Sequence, residues 1–327
     1  MSPSFPLDPG VIDPRAVGHV GVLMGGRSSE REISLRSGAA VLQALQAAGV
    51  HASAFDPAER PLAALPACGF DRVFLILHGG QGEDGSVQGA LEVLGIPYTG
   101  SAVLASALAM DKHMSKCIWR DAGLPTPPWR CVGRGDSLGE APAGPVVVKP
   151  ACEGSTVGVT KVAPGDGAAL AAALELALHH DRRALVEACV SGRELTCAIL
   201  GEGASAHALP LVEIRAPDAN YDYHNKYFGN ATEYLCPAPL PAELAAHIQD
   251  LCLRAYRALD ARGWGRVDVM LGEQGAVLGP ALLELNTAPG MTDHSLVPMA
   301  ARAAGMDFGE LVLRIAADCR RPGGGVR

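Results

Sequence analysis

Residues 264–271, WGRVDVML, alternate in strand fashion, and this run constrains the chain more tightly than any other. A period of two means a strand with one buried face, so Val267, Val269 and Leu271 look one way and Trp264, Arg266 and Asp268 the other. A turn follows at Gly272-Glu273-Gln274-Gly275. The next segment, ALLELN, sets Glu284 and Asn286 on one face with Leu283 and Leu285 opposite. Paired as a hairpin, the two segments have one apolar side and one side that gathers Arg266, Asp268, Glu284 and Asn286. Three hard oxygen donors beside one cation suit a magnesium site with positions left for phosphate. An amphipathic hairpin whose polar face meets water has the same pattern. Gly279-Pro280 interrupts the second segment and leaves the pairing register open.

The rest of the chain alternates between strand and helix signals. Residues 1–17 are Pro-rich and read as a loose tail. Strand HVGVLM leads to Gly25-Gly26 and RSSEREIS, where Ser29 and Glu32 form a capping box for a helix that ends at Gly49. Strand VFLIL (73–77) leads to HGGQGEDGS and a helix through Gly95. Strand, glycine turn and helix, twice over, predict an open parallel sheet. Ligands of such sheets lie beyond the carboxyl ends of the strands, where Glu30 and His78 fall.

A helix from about Ser101 to Ala122 and a linker at TPPW close the first unit. The second holds strand VVVKP, loop ACEGSTVGV, a helix, and strands ALVEA and ELTCAIL. The third holds HALPLVEI, a loop at 215–239, a long helix, the hairpin and two final helices, and the tail RRPGGGVR reads as disordered. The expected domains are 18–111, 112–193 and 194–320.

Composition narrows the function. With 48% apolar residues in 327, the chain is expected to fold around sizeable cores. It has no apolar run of membrane-spanning length and no basic segment followed by an apolar one at its start, so a cytoplasmic location without a membrane partner is expected. Nine cysteines without a C-x-x-C pair fit neither a disulfide framework nor a zinc site. A net charge of −8 argues against a nucleic-acid partner. Five lysines stand among 27 basic residues: Lys112, Lys116, Lys149, Lys161 and Lys226. Each can mark a place for a compact ammonium; Lys116 and Lys161 are read as chance retention.

Several stretches carry candidate chemistry. Lys149 ends a β-branched strand just before Glu153-Gly154-Ser155, where backbone N–H groups and one ammonium can hold phosphate. The bend in VEACVSGRE can present Glu187 and the Val190 backbone to an adenine edge, with Glu194 reaching ribose; a hairpin turn with solvated acids fits equally. Four of six tyrosines, Tyr221, Tyr223, Tyr227 and Tyr234, fall in YDYHNKYFGNATEY. That segment reads as a lid bringing Lys226 and Tyr227 over a ligand, or as a protein-binding patch. Ser295 is the expected N-cap of a helix whose first N–H groups, at Ser295 and Leu296, suit a carboxylate. Glu30 reads as a counter-ion for a substrate ammonium, or as an acid favoured by its helix dipole.

The ordered set GGRSSEREIS, HGGQGEDG, MDKHMSK, VVVKPACEGSTVG, VEACVSGRE, YDYHNKYF, WGRVDVM and ELNTAPGMTDHSLVPMAA resembles the D-alanine–D-alanine ligase family of the ATP-grasp superfamily. The likeness runs from about Gly18 to Asp318. It implies a three-domain α/β ATP-grasp fold: an N-terminal open parallel sheet followed by two α+β domains clasping ATP. It further implies ligation of two D-alanines, through a D-alanyl phosphate, for peptidoglycan precursors.

By resemblance, Lys112, Lys149 and Lys226 meet ATP phosphates, and Glu187, Val190 and Glu194 hold adenosine. Asp268, Glu284 and Asn286 carry two magnesium ions, with manganese as an alternative. Glu30, linked to Ser155 and Tyr227, holds the first D-alanine, and His78 lies near it. Arg266 and the Gly290 N–H form the oxyanion hole, Ser295 and Leu296 take the second carboxylate, and the family implies a homodimer. Cys152 departs from the family's usual arginine, NTAPG replaces NTSPG, the turn before Glu284 is longer, and the N-terminal tail is extra.

Elementary electrostatics agrees with such chemistry. A carboxylate approaching a γ-phosphate to ~4 Å meets a repulsion of ~4 kcal/mol per charge pair at an effective dielectric of ~20. Metal ions with Lys149 and Lys226 can offset it, and a closed lid keeps water from an acyl phosphate.

Rival readings remain at this point. A D-alanine–D-lactate ligase resembling this family lacks the lid tyrosine, so Tyr227 favours the dipeptide; another carboxylate–amine ligase is a second rival. A dinucleotide dehydrogenase would need the G-x-G-x-x-G that HVGVLMGG lacks. A non-catalytic ATP sensor would not need the full carboxylate set.

Overall fold

The structure, a computed structural model, describes residues 12–216, 232–272 and 279–319. Its first unit is a parallel sheet of order β2–β1–β3, made of β1 (Val20–Leu23), β2 (Ala52–Phe55) and β3 (Arg72–Leu75). Helix α1 (Arg31–Ala47) crosses from β1 to β2, and α2 (Ser86–Val93) follows β3. The open parallel sheet is as expected. Strand β2 is not among the expected strands, because ASAF has no β-branched residue; the ladder from Val20–Ala52 to Leu23–Phe55 makes it one.

Two local expectations fail. Helix α1 has Glu30 as N-cap with no side-chain cap bond, so the Ser29–Glu32 box is not formed. Instead Ser28 Oγ accepts the Glu30 N–H (3.2 Å) and donates to the His78 carbonyl (2.5 Å), which ties the helix start to the turn after β3. The loose tail is also shorter than expected. Pro14–Val17 form a 3₁₀ turn capped by Asp13, and Val17 is buried in the core. Residues 1–11 and the tail 320–327 lie outside the described residues.

The helix expected over Ser101–Ala122 is two helices, α3 (Val103–Met110) and α4 (Lys112–Asp121). Asp111 breaks them by taking an extended conformation (φ −84°, ψ 95°), and its side chain caps α4 through the Met114 N–H at 3.1 Å. Lys112 is thereby the first residue of α4.

An antiparallel sheet of order β4–β7–β5–β6 follows, made of β4 (Trp129–Gly133), β5 (Val146–Pro150), β6 (Thr160–Val162) and β7 (Arg183–Ala188), with α5 (Gly167–His180) packed on it. The expected linker TPPW thus ends inside β4. The last sheet holds β8 (Gly192–Leu200), β9 (His207–Ala208), β10 (Val212–Arg215), β11 (Glu233–Leu235), β12 (Trp264–Gly272) and β13 (Pro280–Asn286). Its order is β11–β10–β8–β12–β13, with β9 on β8. The expected loop at 215–239 therefore contains a strand, and its residues 217–231 lie outside the described ones.

Both faces of this sheet are covered. Val267, Val269, Leu282 and Leu285 pack under α6 (Ala242–Ala258) with Ile248, Leu251 and Tyr256. On the other face Trp264 meets α7 (Leu296–Ala303), α8 (Phe308–Ala317) and the first sheet, its ring 6.3 Å from that of Phe74. This shared core holds the carboxyl ends of β1 and β3 against the polar side of the β12–β13 hairpin.

The hairpin differs from expectation at one residue. Arg266 pairs with Asn286, Val267 with Leu285 and Asp268 with Glu284, but Val269 then pairs with Leu282. Leu283 is the extra residue of a β-bulge. Leu282, not Leu283, joins Leu285 in the core.

Candidate active site

A cavity of about 370 Å³ lies where the three units meet. Glu30 and His78 reach it from the first unit, Lys112 and Ser155 from the middle, and Arg266, Glu284, Asn286, Gly290, Ser295 and Leu296 from the last. Asp268, almost buried, pairs across the hairpin with Glu284. Lys149 and Glu187 are set back in a buried cluster, and Val190 and Glu194 are half-buried near the β7–β8 bend. Lys226 and Tyr227, with Tyr221 and Tyr223, lie outside the described residues; Tyr234 stands on β11 and lines the cavity.

The oxygen donors are held from behind. Thr196 on the neighbouring strand donates to Asp268 Oδ1 at 2.6 Å, and Arg266 stands 3.4 Å from Oδ2. Asn286 Oδ1 accepts the Ala288 N–H at 3.1 Å, which starts the loop leading to Gly290. Glu284 is 3.3 Å from the Lys112 ammonium, which also donates to the Glu153 carbonyl at 2.6 Å. Burial works against the charge on Lys112, yet Glu284 outweighs it and raises its pKa above 10.5. Among the described residues no three His, Cys, Asp or Glu side chains cluster for a metal. The set here is two carboxylates and one amide on one face, a donor chemistry that fits magnesium completing its shell with water and phosphate.

Glu30 is gripped by two backbones. A Cβ at Gly79 would lie 3.2 Å from its Oε1, and one at Gly154 would lie 3.1 Å from the same atom. Gly79 has φ +68°, which favours glycine there anyway. Ser155 and Thr156 take left-handed φ of 51° and 60°, strained for residues with a Cβ. Beside them the Cys152 N–H is taken by Asp181 Oδ2 (2.8 Å), and burial pushes the thiol up to about 11.

His78 is a structural link as well as a lining residue. Its Nδ1 donates to the Ala288 carbonyl (2.9 Å), and in the neutral ring Nε2 accepts from Ser37 (3.1 Å). Ser37 Oγ in turn accepts the Met291 N–H at 3.2 Å. Helix α1 is thus tied to the loop carrying Gly290. Ser295 is the N-cap of α7 by position, but its Oγ accepts the Thr292 N–H (2.9 Å) and makes no cap bond. The Ser295 N–H, expected to serve a carboxylate, is instead taken by the Thr292 carbonyl at 3.0 Å, which leaves the expected role to the Leu296 N–H beside the cavity. A Cβ at Gly290 would come 3.0 Å from that Oγ.

Three residues were missed. Arg36 lines the cavity, one turn beyond Ile33 on α1, a helical spacing that could have found it. Glu83 accepts the Gly79 N–H at 3.1 Å and also lines it. Lys116, read as chance retention, is fully buried and 2.6 Å from Glu187 Oε2, while Lys149 is 2.9 Å from Oε1. Lys161 is exposed.

The glycine turn after β1 is closed on itself. Ser34 takes the Gly25 N–H (2.8 Å), Asp56 takes that of Gly26 (3.0 Å), and Arg31 pairs with Asp56 at 2.7 Å. The Gly25 and Gly26 N–H groups are thus both taken by side chains, whereas a glycine turn that cradles a dinucleotide pyrophosphate offers such groups to the ligand.

Residues 118–317 match the family described as D-ala D-ala ligase C-terminus, and 57–101 match D-ala D-ala ligase N-terminus. The chain is 56% identical over 315 residues to a D-alanine–D-alanine ligase of Ralstonia pickettii (strain 12J), covering 94% of this chain and 92% of that protein. It is 57% identical over 302 residues to one of Albidiferax ferrireducens, covering 91% and 86%. The fold is similar to a crystal structure of D-alanine–D-alanine ligase from Bacillus anthracis complexed with ATP. The TM-score is 0.78 at 34% identity, over 92% of this chain and 96% of that one.

Proposed function

The chain belongs to the D-alanine–D-alanine ligase family, and from that premise we propose how its own side chains carry out the family's reaction. It is an ATP-dependent ligase of the ATP-grasp fold that joins two D-alanines, releasing ADP and phosphate, for peptidoglycan precursor synthesis. One observation carries the residue assignment: Asp268, Glu284 and Asn286 share the hairpin face that the Glu30 side of the first unit meets across the cavity.

Glu30 holds the ammonium of the first D-alanine, with Ser155 and Tyr227 linked to it and His78 bracing the wall behind. The first carboxylate takes the γ-phosphoryl group of ATP, giving D-alanyl phosphate and ADP. Asp268, Glu284 and Asn286 would hold two magnesium ions, or manganese in their place, which supply charge neutralisation between carboxylate and phosphate. Lys112, Lys149 and Lys226 meet the phosphates, while Glu187, Val190 and Glu194 hold the adenosine. The second D-alanine is fixed by Ser295 and the Leu296 N–H at the start of α7, where the helix dipole favours a carboxylate. Its amine attacks the acyl phosphate, and Arg266 with the Gly290 N–H stabilises the oxyanion before phosphate leaves.

We further propose domains at 18–111, 112–193 and 194–320. One sheet in each, the break at Asp111 and the start of β8 at Gly192 support these bounds. No described helix is long and apolar enough to cross a membrane, and all nine cysteines are free. Free thiols support a reducing, cytoplasmic setting. A homodimer is supported by Val93 and Leu104, 90% and 61% exposed on neighbouring helices.

The test is phosphate release by purified protein with D-alanine, L-alanine or D-lactate, with magnesium present or chelated. Release with D-alanine alone, abolished by chelation, is the expected result. Formation of D-alanyl-D-lactate when D-lactate is added beside D-alanine would favour the depsipeptide rival, and metal-independent release would overturn the role of Asp268, Glu284 and Asn286.

A further inference from the structure

Lys116, Glu187 and Lys149 form a buried row that the reaction outlined above does not fully use. Glu187 Oε1 is 2.9 Å from the Lys149 ammonium, and Oε2 is 2.6 Å from that of Lys116. Two ammonium groups against one carboxylate leave a net positive charge in a low-dielectric site, which favours arrival of an anion. The two lysines are not equivalent. Lys149 is the last residue but one of β5 and its side chain keeps 11% of its surface exposed, whereas that of Lys116 keeps none. Lys116 also donates to Thr126 Oγ1 (2.5 Å) and the Pro127 carbonyl (3.1 Å), and lies 5.1 Å from the centre of the Trp129 ring. Thr126 in turn donates to the Leu282 carbonyl on β13 at 2.8 Å. One lysine can turn outward; the other is pinned from four sides.

We propose that Lys116 is a positioning residue for nucleotide binding: it is the fixed counter-ion that keeps Glu187 ionised and in place when Lys149 leaves for the phosphates. This rests on the assignment of Lys149 and Glu187 to ATP made above. Without Lys116, Glu187 would have Lys149 as its remaining cation, and carboxylate and phosphates would compete for one ammonium. The cost falls on nucleotide affinity and not on D-alanine.

Proton linkage provides a separate signature. Burial lowers the Lys116 pKa, Glu187 raises it and Lys149 lowers it, leaving it at about 8. Glu187 on β7 and Lys149 on β5 are the charged groups facing it. From its own helix Arg120 lies against the Trp129 ring, and the 124–129 segment and β13 offer neutral oxygens and that ring. Drawing Lys149 toward phosphates removes a repelling charge and brings negative charge closer, so the pKa of Lys116 rises on binding. Nucleotide then binds best with Lys116 protonated, and its affinity falls as pH rises past about 8.

The experiment is calorimetric titration of the full chain with Mg-ADP from pH 6.5 to about 9.5, together with KM for D-alanine. In the wild type, affinity should fall above pH ~8, by up to about tenfold per unit. Lys116→Met should weaken ADP about tenfold or more near neutral pH, with the D-alanine KM within about twofold, if one ammonium of the pair is lost. Lys116→Arg should restore the neutral-pH affinity and abolish the fall above pH ~8, since a guanidinium does not titrate there. Wild-type ADP affinity in Lys116→Met, or the same pH dependence in Lys116→Arg, would overturn the proposal. If Lys116→Met does not fold, the arginine variant alone decides. Failure of the wild type to bind ADP would instead count against the nucleotide-site assignment.

Discussion

Asp268 and Glu284 are direct cross-strand partners on the polar face of the β12–β13 hairpin, and the bulge at Leu283 lets Leu282 return to the core one step later. Without that extra residue, Leu282 would stand on the carboxylate side and the apolar face would lose it to the cavity.

The pairing makes both carboxylates testable. Asp268→Asn and Glu284→Gln keep shape and most hydrogen bonds while removing charge. Each is expected to lower D-alanine-dependent phosphate release by roughly a hundredfold or more. The melting temperature should move by no more than about 4 °C, as for a loss near 1 kcal/mol. Turnover close to wild type in either variant would contradict the metal assignment.

Gly154→Ala places a methyl group against the Glu30 carboxylate, where an added Cβ would stand 3.1 Å from Oε1. That is too close to leave Glu30 undisturbed. Steady-state kinetics should show a KM for the first D-alanine raised severalfold, roughly the effect of ~1 kcal/mol, with the KM for ATP unchanged. Equal increases in both constants would mean that the loop as a whole had moved.

Ser37→Ala removes the hydroxyl shared by His78 Nε2 and the Met291 N–H in a fully buried site. Two polar groups lose their partner, at about 1–3 kcal/mol each. The urea midpoint should fall, and turnover with it, because the loop carrying Gly290 loses its tie to α1. An unchanged midpoint would show that His78 and Met291 are satisfied without Ser37.

Acid stability should depend on Glu213. Arg193 donates to both of its oxygens (2.8 and 2.7 Å), burial opposes and Arg215 assists, so its folded pKa lies below 4.5. A depressed carboxylate adds stability above its unfolded pKa, and that stability is lost as pH falls through the folded value. Glu213→Gln should therefore cost stability at pH 7 and flatten the decline below pH ~4.5. Denaturant midpoints of both proteins across pH 3–7 give the comparison, and parallel curves would refute the linkage.

Much of this was legible in the chain as written. Alternation along 264–271 set the two faces of β12. The glycine turns after β1 and β3 marked the parallel sheet, and the ordered motifs carried the family likeness. Ten of the proposed residues meet at the cavity, Glu30 to Leu296. The resemblance placed them, since no single stretch excluded a solvated hairpin or a plain capped helix.

What the sequence determined by itself is what neighbours two to four residues apart encode: strand faces, helix faces, turns and the Ser295 cap position. Tertiary structure decided the rest. ASAF is a strand because β1 pairs with it, Leu283 is a bulge because β12 and α6 need Leu282 inside, and Lys116 is buried because Glu187 and Thr126 close over it. The physical reason is that pairing register and desolvation are set by groups distant along the chain, which local periodicity cannot sense.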